Sequence, residues 1–236
     1  MNWIITTCKG RLAFLKQTLP TWLERTDCAV LVVDWDCPDG ASDWATSLRE
    51  PRVRALSPRN TGPWNKPKAL NSALRFLAAP LSVPSQRALF LDADTILWKQ
   101  LSNADLGAPD EMRIVRPSEG ERDLTGVLAM PMHSFGSAGL FNEDLVGYGA
   151  EDLDMRLRLY LRAGLCVTTF EPGTFTAIPH SDELRTRFSE EKSLDASGEA
   201  NVRRMFLGLN AREIARVRSP EESGAMQLLL APNLRR

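Results

Sequence analysis

The chain has 236 residues, 43% of them hydrophobic and 25% charged, with a formal net charge of −1. That length suits one sizeable α/β domain or two small ones, and the composition is that of an ordinary globular protein. The balanced charge gives no basic field for nucleic acid, and no apolar run approaches the roughly 20 residues of a membrane span.

Strand and helix patterns alternate over the first hundred residues. "NWIITTC" (2–8) is a short apolar run with β-branched residues and reads as a strand. It has neither a charged leader nor a long apolar stretch, so no signal peptide is expected. A cytoplasmic location follows, with Cys8, Cys28, Cys37 and Cys166 as free thiols and peripheral membrane association left open. Residues 11–24 have helical apolar spacing, with Pro20 expected to end or kink the helix. "AVLVVDWD" (29–36) is a continuous apolar strand that ends in acids, residues 42–50 read as a short helix, and 53–57 as another strand. Residues 66–79 read as a helix with proline in its first turn, and "RALFLDAD" (87–94) is again an apolar strand running into acids.

Strands that are apolar throughout are buried on both faces. This predicts an α/β fold, with a Rossmann-like, mostly parallel central sheet and helices on both faces. In such sheets ligands sit at the carboxyl ends of the strands. The residues at those ends are Cys8, Asp34, Asp36, Asp92 and Asp94.

Residues 102–123 are polar and rich in Pro, Gly, Asp and Glu, and are expected to form a loop. Strand character returns at 124–135, and two short strands are expected at 166–173 and 174–180. Residues 199–210 look helical. One domain is expected over 1–216, followed by a mobile tail, 217–236, in which "AMQLLLAP" has the apolar content to dock.

The stretch "YGAEDLDMRLRLYLRAG" (148–164) satisfies two patterns. As a strand it would place Asp154, Arg156, Arg158 and Tyr160 on one face. As a helix it would align Leu153, Leu157, Tyr160 and Leu161 in one stripe. It lacks Val, Ile and Thr, opens on Glu151 and Asp152, and closes on Gly164, all of which favour a helix.

Several groups of residues have the chemistry of a site. Asp92 and Asp94, on either side of Ala93, offer two hard oxygen donors to a divalent cation such as Mn²⁺ or Mg²⁺; the alternative is an ordinary acidic turn. Asp34 and Asp36 have carboxylates that can accept hydrogen bonds from a ribose or base, or merely cap the turn at Asp39-Gly40. Glu151 and Asp152 can serve as general base and acceptor ligand, or simply cap a helix. Small residues before them let a ligand approach the backbone. His180 is a candidate metal ligand, though a lone histidine is more often structural. Arg11, Lys66 and Lys68 can neutralise a diphosphate, with a plain surface role as the default. Trp35, Trp64 and Trp98 lie near the proposed strand-end loops, where flat rings can stack on a base or sugar.

In order, these pieces resemble a GT-A glycosyltransferase. "TTCKGRLAFLKQTLP" looks like the first strand and nucleotide loop, and "VVDWDCPDG" is similar to the Val-Val-Asp-Asp-Gly-Ser signature of family 2 enzymes, departing at Trp35 and Cys37. "NTGPWNKPKALNSAL" resembles the Asn-x-Gly…Lys-Asn-x-Ala segment, and "FLDAD" matches the Asp-x-Asp motif. "GSAGLFNEDLVGYGAEDLDMRLRL" is similar to the Gly-Trp-Gly-Gly-Glu-Asp acceptor motif of galactosyltransferase and chondroitin-polymerase type domains, with Tyr148 in place of Trp and Ala150 in place of Gly. The match covers roughly residues 2–180.

The resemblance implies a GT-A fold and a metal-dependent, inverting transfer of a hexose or N-acetylhexosamine from a UDP-sugar to a hydroxyl of a glycan or other acceptor. It implies that Arg11, Asp34, Asp36, Lys66, Asp92, Ala93 and Asp94 bind the donor, and that Asp94 and His180 hold Mn²⁺ or Mg²⁺. Asp152 would be the catalytic base, with Glu151, Tyr148 and Gly149 at the acceptor. Two alternatives stand beside it. A nucleotidyltransferase would usually carry a Gly-rich phosphate loop, whereas "TTCKGRL" has one glycine. A non-catalytic nucleotide- or glycan-binding module would have no need of the Glu-Asp pair.

Overall fold

The computed structural model describes residues 1–59, 61–77, 85–116, 124–219 and 223–230. In chain order its elements are β1 (Trp3–Cys8), α1 (Leu12–Arg25), β2 (Ala29–Asp34), α2 (Ala41–Ser47), β3 (Val53–Leu56), α3 (Lys66–Phe76), β4 (Arg87–Phe90), β5 (Thr95–Leu97), β6 (Glu111–Ile114), β7 (Leu128–Pro131), α4 (Phe135–Ala138), α5 (Glu151–Leu161), β8 (Cys166–Thr169), β9 (Phe175–Ala177), α6 (Asp182–Thr186), α7 (Leu194–Leu207), α8 (Ala211–Val217) and α9 (Ser223–Leu230).

Seven strands form the central sheet in the order β3-β2-β1-β4-β7-β6-β8, and β5 pairs with β9 in a separate antiparallel ribbon. The pairs β3–β2, β2–β1, β1–β4 and β6–β8 are parallel, and only β7 runs against its neighbours. The sheet is therefore mostly parallel, as its unbroken apolar strands predict. Alternate residues feed two cores. Ile4, Val30, Val32 and Leu89 face Leu12, Leu15, Leu19 and Trp22 of α1. Ile5, Leu31, Val33 and Phe90 face Ala69, Leu70, Ala73 and Leu74 of α3 and the apolar side of α5. Each of these strands is buried on both faces, which is why none shows polar–apolar alternation.

The helix reading of 148–164 holds: α5 spans Glu151–Leu161, and Gly164 follows with φ 69°. The burial is wider than one stripe, however. Asp154, Arg156 and Arg158 are buried along with Leu153, Met155, Leu157 and Leu159. Arg158 meets Asp154 one turn away and donates to the carbonyls of Ala138 and Leu140, so its charge is fully engaged inside the protein.

Four boundaries depart from the sequence reading. Pro20 does not end α1, which runs on to Arg25; Pro20 itself is exposed, while Leu15, Thr18, Leu19 and Trp22 anchor the helix around it. The polar segment 102–123 is not all loop: β6 forms at Glu111–Ile114, where Met112 and Ile114 are buried and the ladder to β7 and β8 decides the conformation. Residues 117–123 lie outside the described residues, as do 78–79 of the predicted helix that became α3. Strand character at 124–135 is confined to β7, and the chain then turns helical. Finally, the tail from 217 onward contains α9, which buries Met226 and Leu229 in the core shared with α5, while 220–222 and 231–236 lie outside the described residues. Among the described residues no helix is long and apolar enough to cross a membrane. All four cysteines are free thiols.

Candidate active site

The parallel strands β1, β2 and β4 end on the same edge of the sheet. Just past β4, Asp92 and Asp94 project into a cleft of about 100 Å³ lined by Thr7, Lys9, Arg11, Trp64, Lys66 and Glu151, with Tyr148, Leu184, Arg185 and Phe188 on the facing wall. Two clusters of charge meet there.

The first cluster is Asp94, His180 and Arg11. Thr95 and Leu97 of β5 pair with Ala177 and Phe175 of β9, and Ile178 N–H donates to Asp94 O at 2.8 Å. This ribbon carries His180 back to a residue 86 positions earlier. His180 Nε2 lies 2.6 Å from Asp94 Oδ2, and Arg11 Nη1 lies 2.8 Å from that oxygen and 2.7 Å from the His180 nitrogen. Burial alone would raise the Asp94 carboxyl. The hydrogen bond to His180 and the Arg11 charge outweigh it and hold the group below the usual carboxylate range.

This pair fits a divalent cation. Asp94 Oδ1 is buried with no hydrogen-bond partner among the described residues. Its Oδ2 and the His180 nitrogen already draw one cation, the Arg11 guanidinium, between them. A carboxylate with an imidazole is a donor set that suits Mn²⁺. Among the described residues no cluster of three or more His, Cys, Asp or Glu side chains could hold a metal ion. Water and substrate phosphate would have to complete the shell, as is common for such ions at phosphate sites.

The second cluster centres on Lys66, the first residue of α3. Asn65 caps that helix by accepting from Lys68 N–H, and Pro67 occupies the first turn. Lys66 Nζ lies 2.9 Å from Asp92 Oδ1, 3.2 Å from Glu151 Oε1 and 3.5 Å from Asp152 Oδ2. One ammonium thus joins the Asp-x-Asp turn to the start of α5. Burial would pull Lys66 down, but Asp152, Asp92 and Glu151 together raise it well above the ordinary lysine value. Burial pushes Asp152 up to about 7; Lys66 opposes this, while Glu151 and Asp92 add to it.

Two features escaped the sequence reading. At Gly126 a Cβ would lie 2.3 Å from Asp92 Oδ2 and 3.3 Å from Lys66 Nζ, so only glycine admits this ion pair. An isolated glycine just before an apolar strand was the available signal. The loop 146–149 is braced by α7. Ser197 Oγ accepts from Tyr148 N–H at 2.7 Å, and Asn201 Nδ2 donates to Val146 O at 3.0 Å and Gly149 O at 2.9 Å. Nothing local in the sequence marks that contact.

Of the other expected residues, some line the cleft and some lie apart from it. Asp34 accepts from Cys37 N–H at 2.6 Å and from Ser42 N–H at 2.7 Å, so both its oxygens serve the loop between β2 and α2. Asp36 is exposed, with Lys9 Nζ 4.0 Å away. Trp35 is buried and donates to Pro63 O, and Trp98 bonds Thr176 beside the β5–β9 ribbon; of the three tryptophans considered for stacking, only Trp64 lines the cleft. Arg11 is engaged by Asp94 and His180. Tyr148 lines the cleft within reach of Arg185, and Asp152, outside the lining, joins the cluster through Lys66 Nζ at 3.5 Å. Lys68 is exposed.

No protein-family model matches the chain, and no curated protein matches it in sequence. Solved structures do match. A mannosyltransferase from Pyrobaculum calidifontis, in complex with GDP-Man and Mn²⁺, is 14% identical with a TM-score of 0.57, over 98% of this chain and 85% of its own. TarS from S. aureus, residues 1–349 with UDP-GlcNAc, is 13% identical with a TM-score of 0.57, over 97% and 79%. GalNAc-T7 with UDP, GalNAc and Mn²⁺ is 12% identical with a TM-score of 0.68, over 99% of this chain and 54% of its own. The likeness is one of architecture, and the architecture is the GT-A fold.

Proposed function

We propose that this chain is a metal-dependent, inverting glycosyltransferase that moves a sugar from a UDP-sugar to a hydroxyl of a glycan or other acceptor. The observation that carries the reading is the meeting of two charge clusters in one cleft: Asp94 with His180, and Lys66 with Asp92, Glu151 and Asp152. Their members come from separate parts of the chain. Solved structures of the same fold that hold GDP-Man, UDP-GlcNAc or UDP, two of them with Mn²⁺, support the reading.

Each residue has a defined task. Asp94 and His180 would hold the cation, which when bound offsets charge on a diphosphate. Lys66 and Arg11 supply fixed positive charge along the same wall, and Trp64 offers a flat face to a ring. Glu151 lines the cleft and orients the acceptor hydroxyl. Asp152 is the general base. A sugar hydroxyl is a poor nucleophile near neutral pH and needs such a base within about 3 Å. A carboxyl pushed up to about 7 is matched to that work, because it is a stronger base than an ordinary aspartate and still ionises near neutrality. Lys66 bridges Asp92 on the donor side to Glu151 and Asp152 on the acceptor side, so binding at one side is felt electrostatically at the other.

The test is turnover of a panel of UDP-sugars with Mn²⁺ and with EDTA, with the product anomer read by NMR. Transfer that needs Mn²⁺ and inverts the anomeric centre is the expected result. Metal-independent transfer or a retained anomer overturns the metal or stereochemical assignment. Pyrophosphate release from a nucleoside triphosphate points to nucleotidyl transfer. UDP binding without consumption of any donor, across a broad acceptor panel, points to a binding module.

A further inference from the structure

Cys8, the last residue of β1, and Cys37, in the loop that follows β2, face each other beside the cleft, with their sulfurs 3.8 Å apart. Cys8 is buried, and Cys37 is partly exposed. Cys37 Sγ accepts a hydrogen bond from Gly10 N–H at 3.2 Å. Asp34 fixes the loop that carries this sulfur by accepting from Cys37 N–H and Ser42 N–H. The contact with Cys8 and the nearby Gly10 and Asp39 amides hold the Cys37 thiol down to about 6 against the effect of burial. The Cys8 thiol is pushed up by its hydrogen bond to Cys37 and by burial. The more accessible sulfur thus receives a backbone donor that favours its thiolate, and a second, buried sulfur lies next to it. These are the attributes of an attacking and a resolving cysteine.

We propose that Cys37 is an oxidant-reactive thiol that takes small hydroperoxides as its substrate class, and that Cys8 resolves it to a Cys8–Cys37 disulfide. The Cys37 thiolate attacks the terminal peroxide oxygen. The O–O bond breaks, and the departing oxygen takes up a proton to leave as alcohol or water. Cys37 becomes a sulfenic acid. Cys8 then attacks the Cys37 sulfur while its proton goes to the sulfenic oxygen; the S–S bond forms, the S–O bond breaks, and water leaves. The two sulfurs together lose two electrons, which the peroxide gains. A thiol reductant reverses the change.

The bond requires the sulfurs to close from 3.8 Å to about 2.05 Å. Cys37 is then withdrawn from Gly10 N–H. Gly10 has φ 67° and packs so closely on Phe188 that a Cβ there would lie 2.2 Å from the ring, so this turn has little freedom to adjust alone. Its neighbours Lys9 and Arg11 line the cleft, and Arg11 is the partner of Asp94 and His180. Closure of the disulfide therefore displaces the cationic wall. That consequence for transfer rests on the glycosyltransferase reading; the disulfide itself does not.

The experiment treats the whole chain with dilute hydrogen peroxide and follows it by intact mass and peptide mapping. The expected result is the loss of two hydrogens, a linked Cys8–Cys37 peptide pair, unmodified Cys28, and full reversal by dithiothreitol. Cys8→Ser and the smaller apolar Cys8→Ala each stop at a dimedone-trapped sulfenic acid on Cys37. Oxidation confined to the exposed Cys166, or disulfides only between chains, overturns the proposal. UDP-sugar turnover of the reduced enzyme falls by about tenfold or more on oxidation, the scale expected from misplacing a binding group. A disulfide that forms with turnover unchanged overturns the coupling to the cleft. Absence of turnover in the reduced enzyme counts against the glycosyltransferase reading, while the mass measurement still decides for or against the disulfide.

Discussion

Lys66 shows how a single side chain can tie two halves of a site together. Its ammonium meets Asp92, Glu151 and Asp152, and the same charge keeps Asp152 from rising further than about 7. As the proposed base Asp152 works only when ionised, so transfer is expected to climb with pH on a limb centred near 7 and to level off above it, measured as kcat/KM across a buffer series. Asp152→Asn removes the base while keeping the shape. Transfer is expected to drop by roughly 10²–10⁴-fold with UDP affinity unchanged; a variant near wild type would remove Asp152 from the role. Ala150 makes a second point at this scale. It has φ 71° immediately before α5, a left-handed conformation that costs a residue with a Cβ about 1–2 kcal/mol. Glycine is at ease there but loses more chain entropy on folding, so Ala150→Gly is expected to stabilise the protein by about 0.5–1 kcal/mol, or roughly 2 °C in Tm by thermal melting.

Among elements, α5 and α7 work as a pair. The acids at the start of α5 are aimed by the loop before it, and that loop is held by Ser197 and Asn201 of α7. Asn201→Ala removes the donor of Gly149 O and leaves Val146 O with only the longer bond from Ser197 Oγ at 3.3 Å, at a cost of about 1–3 kcal/mol. The expected signature is a raised acceptor KM with donor binding preserved, because the loop leads into Glu151, the proposed acceptor ligand, and α3 is untouched. An equal loss at both substrates would instead mean global destabilisation. The helix α5 also shows where pattern reading succeeds and where it stops. Its residue types, opening acids and closing glycine specify a helix. They do not tell that Asp154, Arg156 and Arg158 are buried, because the two arginines find their acceptors in carbonyls of residues 125, 127, 138 and 140, and Asp154 is then neutralised by the buried Arg158.

At the scale of the molecule, a ligand that bridges the two charge clusters must bind the folded chain far better than the unfolded one, since the clusters exist only when β1, α3, β4, α5 and β9 are assembled. UDP with Mn²⁺ at about 100 times its Kd is expected to add about 2.7 kcal/mol, a rise of roughly 5–10 °C in Tm, and EDTA is expected to abolish most of it. No shift with any nucleoside diphosphate would count against a nucleotide cleft. The sequence by itself determined the parallel core, the strand ends that carry Asp92 and Asp94, and the start of α5 at Glu151, because hydrophobic runs, breakers and helix-end preferences act over a few neighbouring residues. Only the tertiary structure decided that Asp34 accepts from two amides of its own loop, that Arg11 lies between Asp94 and His180, that Gly126 makes room for Asp92, that β6 forms within a polar segment, and that α9 docks on α5. Each of these depends on which distant atoms end up in contact, and that is set by how the whole sheet and its helices pack, a quantity no short window of residues contains.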